Sequence, residues 1–455
     1  MAHVSVIILA AGNSTRFKSQ TPKVLHPICG RPMIDYVLGV AKSLKPQKMV
    51  VVLGFGADAV KKYLGPIKGV RFALQSQRLG TGHAVQVGLK ALGKLGGEVV
   101  ILNGDVPLLR EATLKQFMRV PMPGPLSLMT ALLPNPMGYG RILRDELGQV
   151  VGIVEQNNAT ESQREINEIN GGIYRVAASF LRKNLPKIKK DRKKREFYLT
   201  DLVALANSQG ETVLGWALED AQEILGANTR GELAYLNQRI HDQIIGEHLA
   251  SGVGMEDPDH IYLDAGVKIG ADSFLGAGVH IKGKSRVGKN VYIEAGCILK
   301  DVIVEEGARL LAYSYLEHCR VGRHATVGPF ARLRPGTEIG EKAKVGNFVE
   351  AKQAKLGPGS KANHLSYLGD CRIGKEVNIG AGTITCNYDG KKKFETVILD
   401  GSFIGSDTQL VAPVTVGKGA YVASGTTLTG NVPPGALALS RVPQRNIKGW
   451  AKRKK

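Results

Sequence analysis

Cysteine is scarce in this chain and shows no pairing pattern. The five cysteines among 455 residues (Cys29, Cys297, Cys319, Cys371 and Cys386) are odd in number, scattered and without a C-x-x-C. That argues against a disulfide framework and a structural zinc site, and points to a reducing, cytoplasmic setting. Aromatic residues are also few, at 6% with two tryptophans, although the hydrophobic share of 43% is ample for cores. A core built this way is aliphatic. No apolar run approaches the ~20 residues that a membrane span needs. Met1-Ala-His3 runs straight into the first apolar segment, so the expectation is no signal peptide and no membrane span.

Negative charge is in deficit. The formal net charge is +21, which ordinarily raises nucleic-acid binding. Much of the excess sits in two runs, Lys187–Arg195 and Lys452–Lys455, neither with interleaved aromatics for base stacking. Both read as solvated stretches, so no nucleic acid is expected as a partner. The remaining positive bias suits phosphorylated, anionic substrates.

What the chain has in abundance is glycine, and in its second half the glycines keep time. From about Ile261 the sequence falls into six-residue steps headed by Ile, Leu or Val with small residues behind them. Ile269-Gly, Leu275-Gly, Val287-Gly, Val321-Gly, Val327-Gly, Ile339-Gly, Val345-Gly, Ile373-Gly, Ile379-Gly, Ile404-Gly and Val416-Gly are examples. Hexapeptide periodicity marks a parallel β-helix, with the aliphatic of each hexad turned inward and glycine allowing the corner. Glycine this frequent would be costly inside an α-helix. The first half instead alternates buried strands, such as Met49–Leu53 and Val99–Leu102, with helices near 33–44, 56–63, 81–93 and 111–119. Leu233, Leu236, Ile240, Ile244 and Leu249 recur at helical spacing after an Asn228 or Thr229 N-cap. The expected organisation is an α/β Rossmann-like domain over 1–227, a connecting helix over 228–250 and a solenoid with a basic tail over 251–455.

The chemistry begins at Leu9-Ala10-Ala11-Gly12-Asn-Ser-Thr-Arg16, with Pro22-Lys23 shortly after. A strand that ends in small residues ahead of a helix start lets backbone N–H groups close around phosphate. Arg16 offers a planar fork and Lys23 a point charge to a triphosphate. This string resembles the N-terminal signature of sugar-nucleotide pyrophosphorylases, departing at Ser14, where that family usually has glycine and where a positive φ would strain serine. Asp105 closes the apolar strand of Asn103-Gly104-Asp105. It thereby places a carboxylate at the sheet edge where open α/β folds bind ligands, a site for Mg²⁺ together with substrate phosphates. Gln75 and Leu79-Gly80-Thr81-Gly form a second glycine loop able to hold a base.

Over nearly its full length the chain is similar to the bifunctional N-acetylglucosamine-1-phosphate uridyltransferase/glucosamine-1-phosphate N-acetyltransferase family. The resemblance implies that Leu9, Ala10, Ala11, Gly12, Lys23, Gln75, Gly80 and Thr81, with Asn103, Gly104 and Asp105, hold the uridine nucleotide. It implies that Gly140, Glu155 and Asn170 hold the sugar, and that Asp105 and Asn228 bind Mg²⁺. Asn103 stands where some members have tyrosine, and Gly171-Gly172 where others have Thr-Gly.

The solenoid breaks rhythm around Arg334, Asn347–Lys352, Asn363–Asp370 and Thr385–Gly390. His364 is expected on a projecting loop, Gly357–Leu368. An amine nucleophile must lose a proton before attacking a thioester, and a neutral imidazole is suited to take it. By resemblance His364 is that base, and Arg334, Lys352, Tyr367 and Asn378 bind glucosamine 1-phosphate. Ala381, Asn387, Tyr388, Ser406, Ser424 and Arg441 then lie along acetyl-CoA, with Ser424 where the family often has alanine. Cys386 as a covalent acyl carrier is the alternative; direct transfer to an amine needs no acyl-enzyme.

The resemblance implies two reactions: acetyl transfer from acetyl-CoA to glucosamine 1-phosphate, then uridyl transfer from UTP with Mg²⁺ as cofactor. It also implies UDP-N-acetylglucosamine for peptidoglycan and lipopolysaccharide precursors, and a left-handed β-helix that forms a homotrimer. One rival is a nucleotidyltransferase for another sugar with an inert solenoid. The other is a basic nucleic-acid-binding scaffold, which would give a salt-sensitive gel shift that persists with Mg²⁺ and UTP present.

Overall fold

The computed structural model describes residues 3–12, 15–191 and 195–450. Ser14, residues 192–194 of the first basic run and the 452–455 tail lie outside them. The chain forms two compact units, residues 1–240 and 241–455.

The first unit is built on a nine-stranded sheet with helices packed against it. Val4–Ala10 is a central strand, parallel to Lys48–Leu53 on one side and Glu98–Asn103 on the other. Near-continuous apolar runs are what a strand covered on both faces requires, and Val6, Ile7, Ile8 and Val50 to Leu53 are fully buried. Beyond Glu98–Asn103 the sheet turns mixed: Glu168–Ala177 runs antiparallel to it and to Leu126–Leu132. The strands Val4–Ala10 and Glu98–Asn103 end side by side, with Leu9 opposite Asn103. That register sets the signature loop beside Asp105.

Four helices fall close to their expected places: Met33–Ser43, Ala57–Leu64, Thr81–Leu92 and Glu111–Arg119. A fifth covers Arg230–Ala250, and the division between the units falls within it. Its N-cap is Thr229. The Thr229 hydroxyl accepts from the Glu232 N–H at 3.1 Å and the Glu232 carboxylate accepts from the Thr229 N–H at 3.0 Å, a reciprocal capping box. Leu236 and Ile240 are buried in the first unit, His241 and Ile245 in the second. Leu249, expected in the apolar stripe, is exposed.

The second unit is a left-handed parallel β-helix. All its sheets are parallel, and inward residues stack at steps of 17 or 18, Leu263 over Ile281 over Leu299 over Leu316 over Leu333. Three hexads therefore make one coil. Every hexad head named above is buried except Ile269, which is half-buried in the first coil. The aliphatics form one continuous core from Val253 to Val432.

One expectation fails here. Residues 357–368 do not project as a loop. They form ordinary rungs, Lys361–His364 and the start of Tyr367–Ile373, one coil after Lys344–Asn347 and Glu350–Leu356. Their polar side chains spoil the hexad pattern only because they point outward, while Ala362 and Leu368 still fill the core. The true insertion comes one coil later. Cys371 pairs with Thr396 across 25 residues instead of 17 or 18, and the extra length leaves as an outward excursion closed by an antiparallel bridge between Tyr388 and Lys393.

Candidate active sites

In the first unit a 390 Å³ cavity lies at the carboxyl ends of the central strands. Its wall contains Leu9, Ala10, Ala11, Gly12, Lys23, Gln75, Gly80, Thr81, Asn103 and Asp105. The Lys23 ammonium makes a close ion pair with Asp105 Oδ2 and lies 3.3 Å from Asn228 Oδ1. Two hard oxygen donors thus converge on one cation, although they are 123 positions apart in the chain. The pair fits the one or two protein oxygens that Mg²⁺ takes alongside phosphates, with the ammonium standing in for the ion.

The base-binding side is held by its own hydrogen bonds. Buried Gln75 donates through Nε2 to Gly80 O at 3.0 Å. Gly80 has φ +95°, and a Cβ there would lie 2.6 Å from Phe197 O. Glycine is needed on both counts. The Gly82 N–H donates to Phe197 O at 2.8 Å and the Leu199 N–H to Thr81 Oγ1 at 3.0 Å, which ties this loop to the 196–199 segment. Glu196 and Tyr198 consequently join the cavity wall, beside Arg78 of the loop itself. Sequence reasoning missed Glu196 and Tyr198 because their contact with the loop bridges more than a hundred positions.

A second cavity of 300 Å³ shares Tyr198 and contains Glu155, Asn158 and Thr200. The Thr200 hydroxyl donates to Glu155 at 3.2 Å. Gly140 O accepts from Asn170 N at 2.9 Å, and Asn170 Oδ1 from Gly172 N at 3.0 Å. Burial, reinforced by Glu196, Asp191, Glu155 and Asp201, pushes the Tyr198 phenol up to about 12. It stays a neutral donor and acceptor. Lys189 and Lys190 of the basic run also line this cavity, so that part of the run is not merely a solvated stretch. Gly104 is buried beneath the signature loop, its N–H donating to Leu9 O at 2.8 Å. Arg16 is exposed on the short turn Thr15–Phe17 and is not in the cavity wall.

On the solenoid, register assembles a different set. His364 lies one coil above Asn347, and its Nδ1 is 2.9 Å from Asn347 Oδ1. An amide oxygen only accepts, so the proton sits on Nδ1 and Nε2 presents its lone pair. Arg334 donates to Glu350 at 2.7 Å. Lys352 is pushed below the ordinary lysine range, first by Lys393 and then by Arg334. Lys393 in turn is raised by its hydrogen bond with Lys352 and by Asp370. Three cations crowd together here with Tyr367 near Arg334 and Lys393, and Asn387 donates to Asp370. Lys393 was missed in the sequence and arrives on the misplaced insertion, whereas Asn347 and Asp370 lie in the segments noted as breaking rhythm but were given no role of their own.

Ala381, Ser406 and Ser424 stack on one corner of successive coils, where Asp407 N donates to Ala381 O at 2.7 Å and Gly425 N to Ser406 O at 2.8 Å. Asn378 is half-buried one coil above Lys361. Tyr388 is exposed, its hydroxyl donating to Gly390 O at 2.6 Å. Arg441 is exposed beyond the last strand and makes no hydrogen bond or ion pair among the described residues. Cys386 is half-buried and its thiol pushed up by burial, which makes it a reluctant thiolate. The buried Cys297, Cys319 and Cys371 are pushed up further, to about 11, 12 and 12.

Residues 6–158 match the model of MobA-like NTP transferase domains, residues 258–361 that of GMPPB C-terminal domains and residues 396–430 that of hexapeptide repeats of succinyl-transferases. The chain is 46% identical to the bifunctional protein GlmU of Pelobacter propionicus, across 100% of this chain and 99% of that one. It is 45% identical to the GlmU of Bordetella parapertussis, across 98% of each. The GlmU of Trichlorobacter lovleyi is 43% identical, across 100% of this chain and 99% of its own. The chain belongs to the GlmU family. GlmU proteins are bifunctional uridyltransferases and acetyltransferases, and the two units carry those two chemistries in order, nucleotidyltransferase first and hexapeptide acyltransferase second. Among the described residues no helix is long and apolar enough to cross a membrane.

Proposed function

We propose that the second unit acetylates glucosamine 1-phosphate from acetyl-CoA and that the first joins the product to UTP, releasing UDP-N-acetylglucosamine and pyrophosphate. The observation that carries this reading is the pairing of two built sites on one chain: the Lys23–Asp105–Asn228 cluster and the His364–Asn347 pair beside three convergent cations.

In acetyl transfer, His364 Nε2 takes a proton from the sugar amine as its nitrogen attacks the thioester carbonyl. The C–N bond forms, the C–S bond breaks and coenzyme A leaves as the thiol, taking up the proton that His364 received. Arg334, Lys352 and Lys393 hold the sugar phosphate, with Tyr367 and Asn378 on the sugar. The small-residue corner of Ala381, Ser406 and Ser424, with Asn387, Tyr388 and Arg441, takes acetyl-CoA. In uridyl transfer, an oxygen of the sugar phosphate attacks the α-phosphorus of UTP, and the bond to the β-phosphate oxygen breaks. Lys23 offsets the developing charge from the cavity wall, with Arg16 on the exposed turn outside that wall. Gln75, Gly80 and Thr81 orient the base, and Gly140, Glu155 and Asn170 the sugar. Asp105 and Asn228 would hold Mg²⁺, which when bound neutralises phosphate charge.

Functionally, residues 1–227, the 228–250 helix and residues 251–455 correspond to uridyl transfer, connection and acetyl transfer. A homotrimer is supported by the exposed ladder Tyr313, Phe330 and Phe348, stacked at 5.5 and 5.6 Å along one corner of the solenoid. A cytoplasmic setting fits the five free cysteines. The test supplies each half-reaction separately: UTP with N-acetylglucosamine 1-phosphate and Mg²⁺, and acetyl-CoA with glucosamine 1-phosphate. Release of pyrophosphate in the first and free thiol in the second is expected; absence of either from well-folded protein would remove that half of the reading.

A further inference from the structure

Behind the uridyl site lies a three-membered stack that the chemistry above does not use. The buried Phe17 ring and the buried His26 imidazole stack with centroids 5.0 Å apart and planes inclined by 26°. The Arg230 guanidinium lies 5.6 Å from the Phe17 centroid, and its Nη1 is 3.3 Å from His26 Nδ1. Burial first, and then the charge of Arg230, hold the His26 imidazole below its ordinary range. In its neutral form, which the downward shift favours, the ring can accept at Nδ1 from the guanidinium and stack without repelling it. Arg230 makes no ion pair with a carboxylate among the described residues. Its planar cation is used on rings, a role that guanidinium suits.

Each member of the stack is tethered to one functional group. Phe17 follows Arg16 on the turn Thr15–Phe17. His26 caps the turn Lys23–Leu25, and its N–H donates to Lys23 O at 3.1 Å. Arg230 opens the helix two residues after Asn228, whose N–H is held by the Glu232 carboxylate. Three chain segments that carry the triphosphate cations and a metal-binding oxygen thereby meet at a single point, His26 and Arg230 lying 204 positions apart in sequence.

We infer that the Phe17–His26–Arg230 stack is the positioning element of uridyl transfer, fixing Arg16, Lys23 and Asn228 relative to one another. The inference rests on the uridyl-transfer reading above. None of the three is a catalytic residue; they act through their neighbours. A displacement of about 1 Å in reacting groups costs on the order of 10²-fold in rate, so loosening the stack lowers kcat more than it weakens substrate binding.

The test uses the full chain with Phe17→Leu, Arg230→Gln and the double variant, with Asp105→Ala as reference. Uridyl transfer from supplied substrates should lose about 10–100-fold in kcat in each single variant, with KM for UTP and sugar phosphate within about threefold. The double variant should fall little further than the worse single, because residues that act as a unit are not additive. Acetyl transfer in the same preparations should be unchanged. A kcat within twofold of wild type, with only a lowered melting temperature, would overturn the inference in favour of a purely structural stack. So would multiplicative effects in the double variant. Retained uridyl transfer by Asp105→Ala would instead overturn the reading on which the inference rests.

Discussion

His364 and Lys352 carry the most specific demands on single residues. With Nδ1–H engaged by Asn347 Oδ1, the imidazole is fixed in the tautomer that presents Nε2. His364→Ala should cost about 10²–10⁴-fold in acetyl transfer, the usual worth of a general base, while uridyl transfer from supplied N-acetylglucosamine 1-phosphate continues. Asn347→Ala should fall between the two, since it frees the tautomer and removes no base. A His364→Ala enzyme within a few-fold of wild type in acetyl transfer would contradict the assignment. Lys352 makes a different demand. A lysine pushed below its ordinary range by Lys393 loses its charge as pH rises before an isolated lysine would. Charge on this group favours phosphate binding, so KM for glucosamine 1-phosphate should climb on the alkaline side. Lys393→Gln should move that climb to higher pH, because the main cause of the downward shift is gone. A climb that stays in place would show that Lys352 does not titrate there.

Elements show how much of the molecule could be read in advance. The hexads were legible because one residue in six must face a narrow core, and the spacing itself names that residue. The helices of the first unit were legible for the same reason at a different period. The register between coils was not. Nothing local marks Asn347 as the partner of His364, because their meeting depends on the 17 residues of one full coil. The insertion was misplaced because polar outward residues at 357–368 and a real excursion near 387–395 disturb the pattern alike. Lys393 was lost with it. The Phe17–His26–Arg230 stack joins opposite ends of the first unit's sequence and leaves no periodic trace. The coil corners support a prediction at this scale. A Cβ on Gly405 would press on the Ser424 backbone and lie 2.8 Å from Val422 O, and neither neighbour is a flexible tip. Gly405→Val should destabilise the solenoid by about 1–3 kcal/mol, as overpacking does, and should raise KM for acetyl-CoA while sparing uridyl transfer. Denaturant midpoints with paired assays would check it. An unchanged midpoint would show that the corner has slack.

At the scale of the whole molecule, two questions arise: whether copies associate and whether the two sites act in sequence. Tyr313, Phe330, Phe348 and Leu365 are exposed at 61, 49, 57 and 62%, a row of apolar side chains along one corner of the solenoid. Contiguous apolar patches of this kind mark association sites. Sedimentation should give three times the mass of one chain, and Phe330→Glu with Phe348→Glu should lower it toward one; a wild-type monomer would contradict the trimer. The sequence of reactions is tested by one vessel containing UTP, Mg²⁺, acetyl-CoA and glucosamine 1-phosphate, read over time by mass spectrometry. Wild type should pass through N-acetylglucosamine 1-phosphate to UDP-N-acetylglucosamine, and Asp105→Ala should stop at the acetylated sugar phosphate. UDP-glucosamine as the first product, or uridylated sugar from Asp105→Ala at the wild-type rate, would contradict the account.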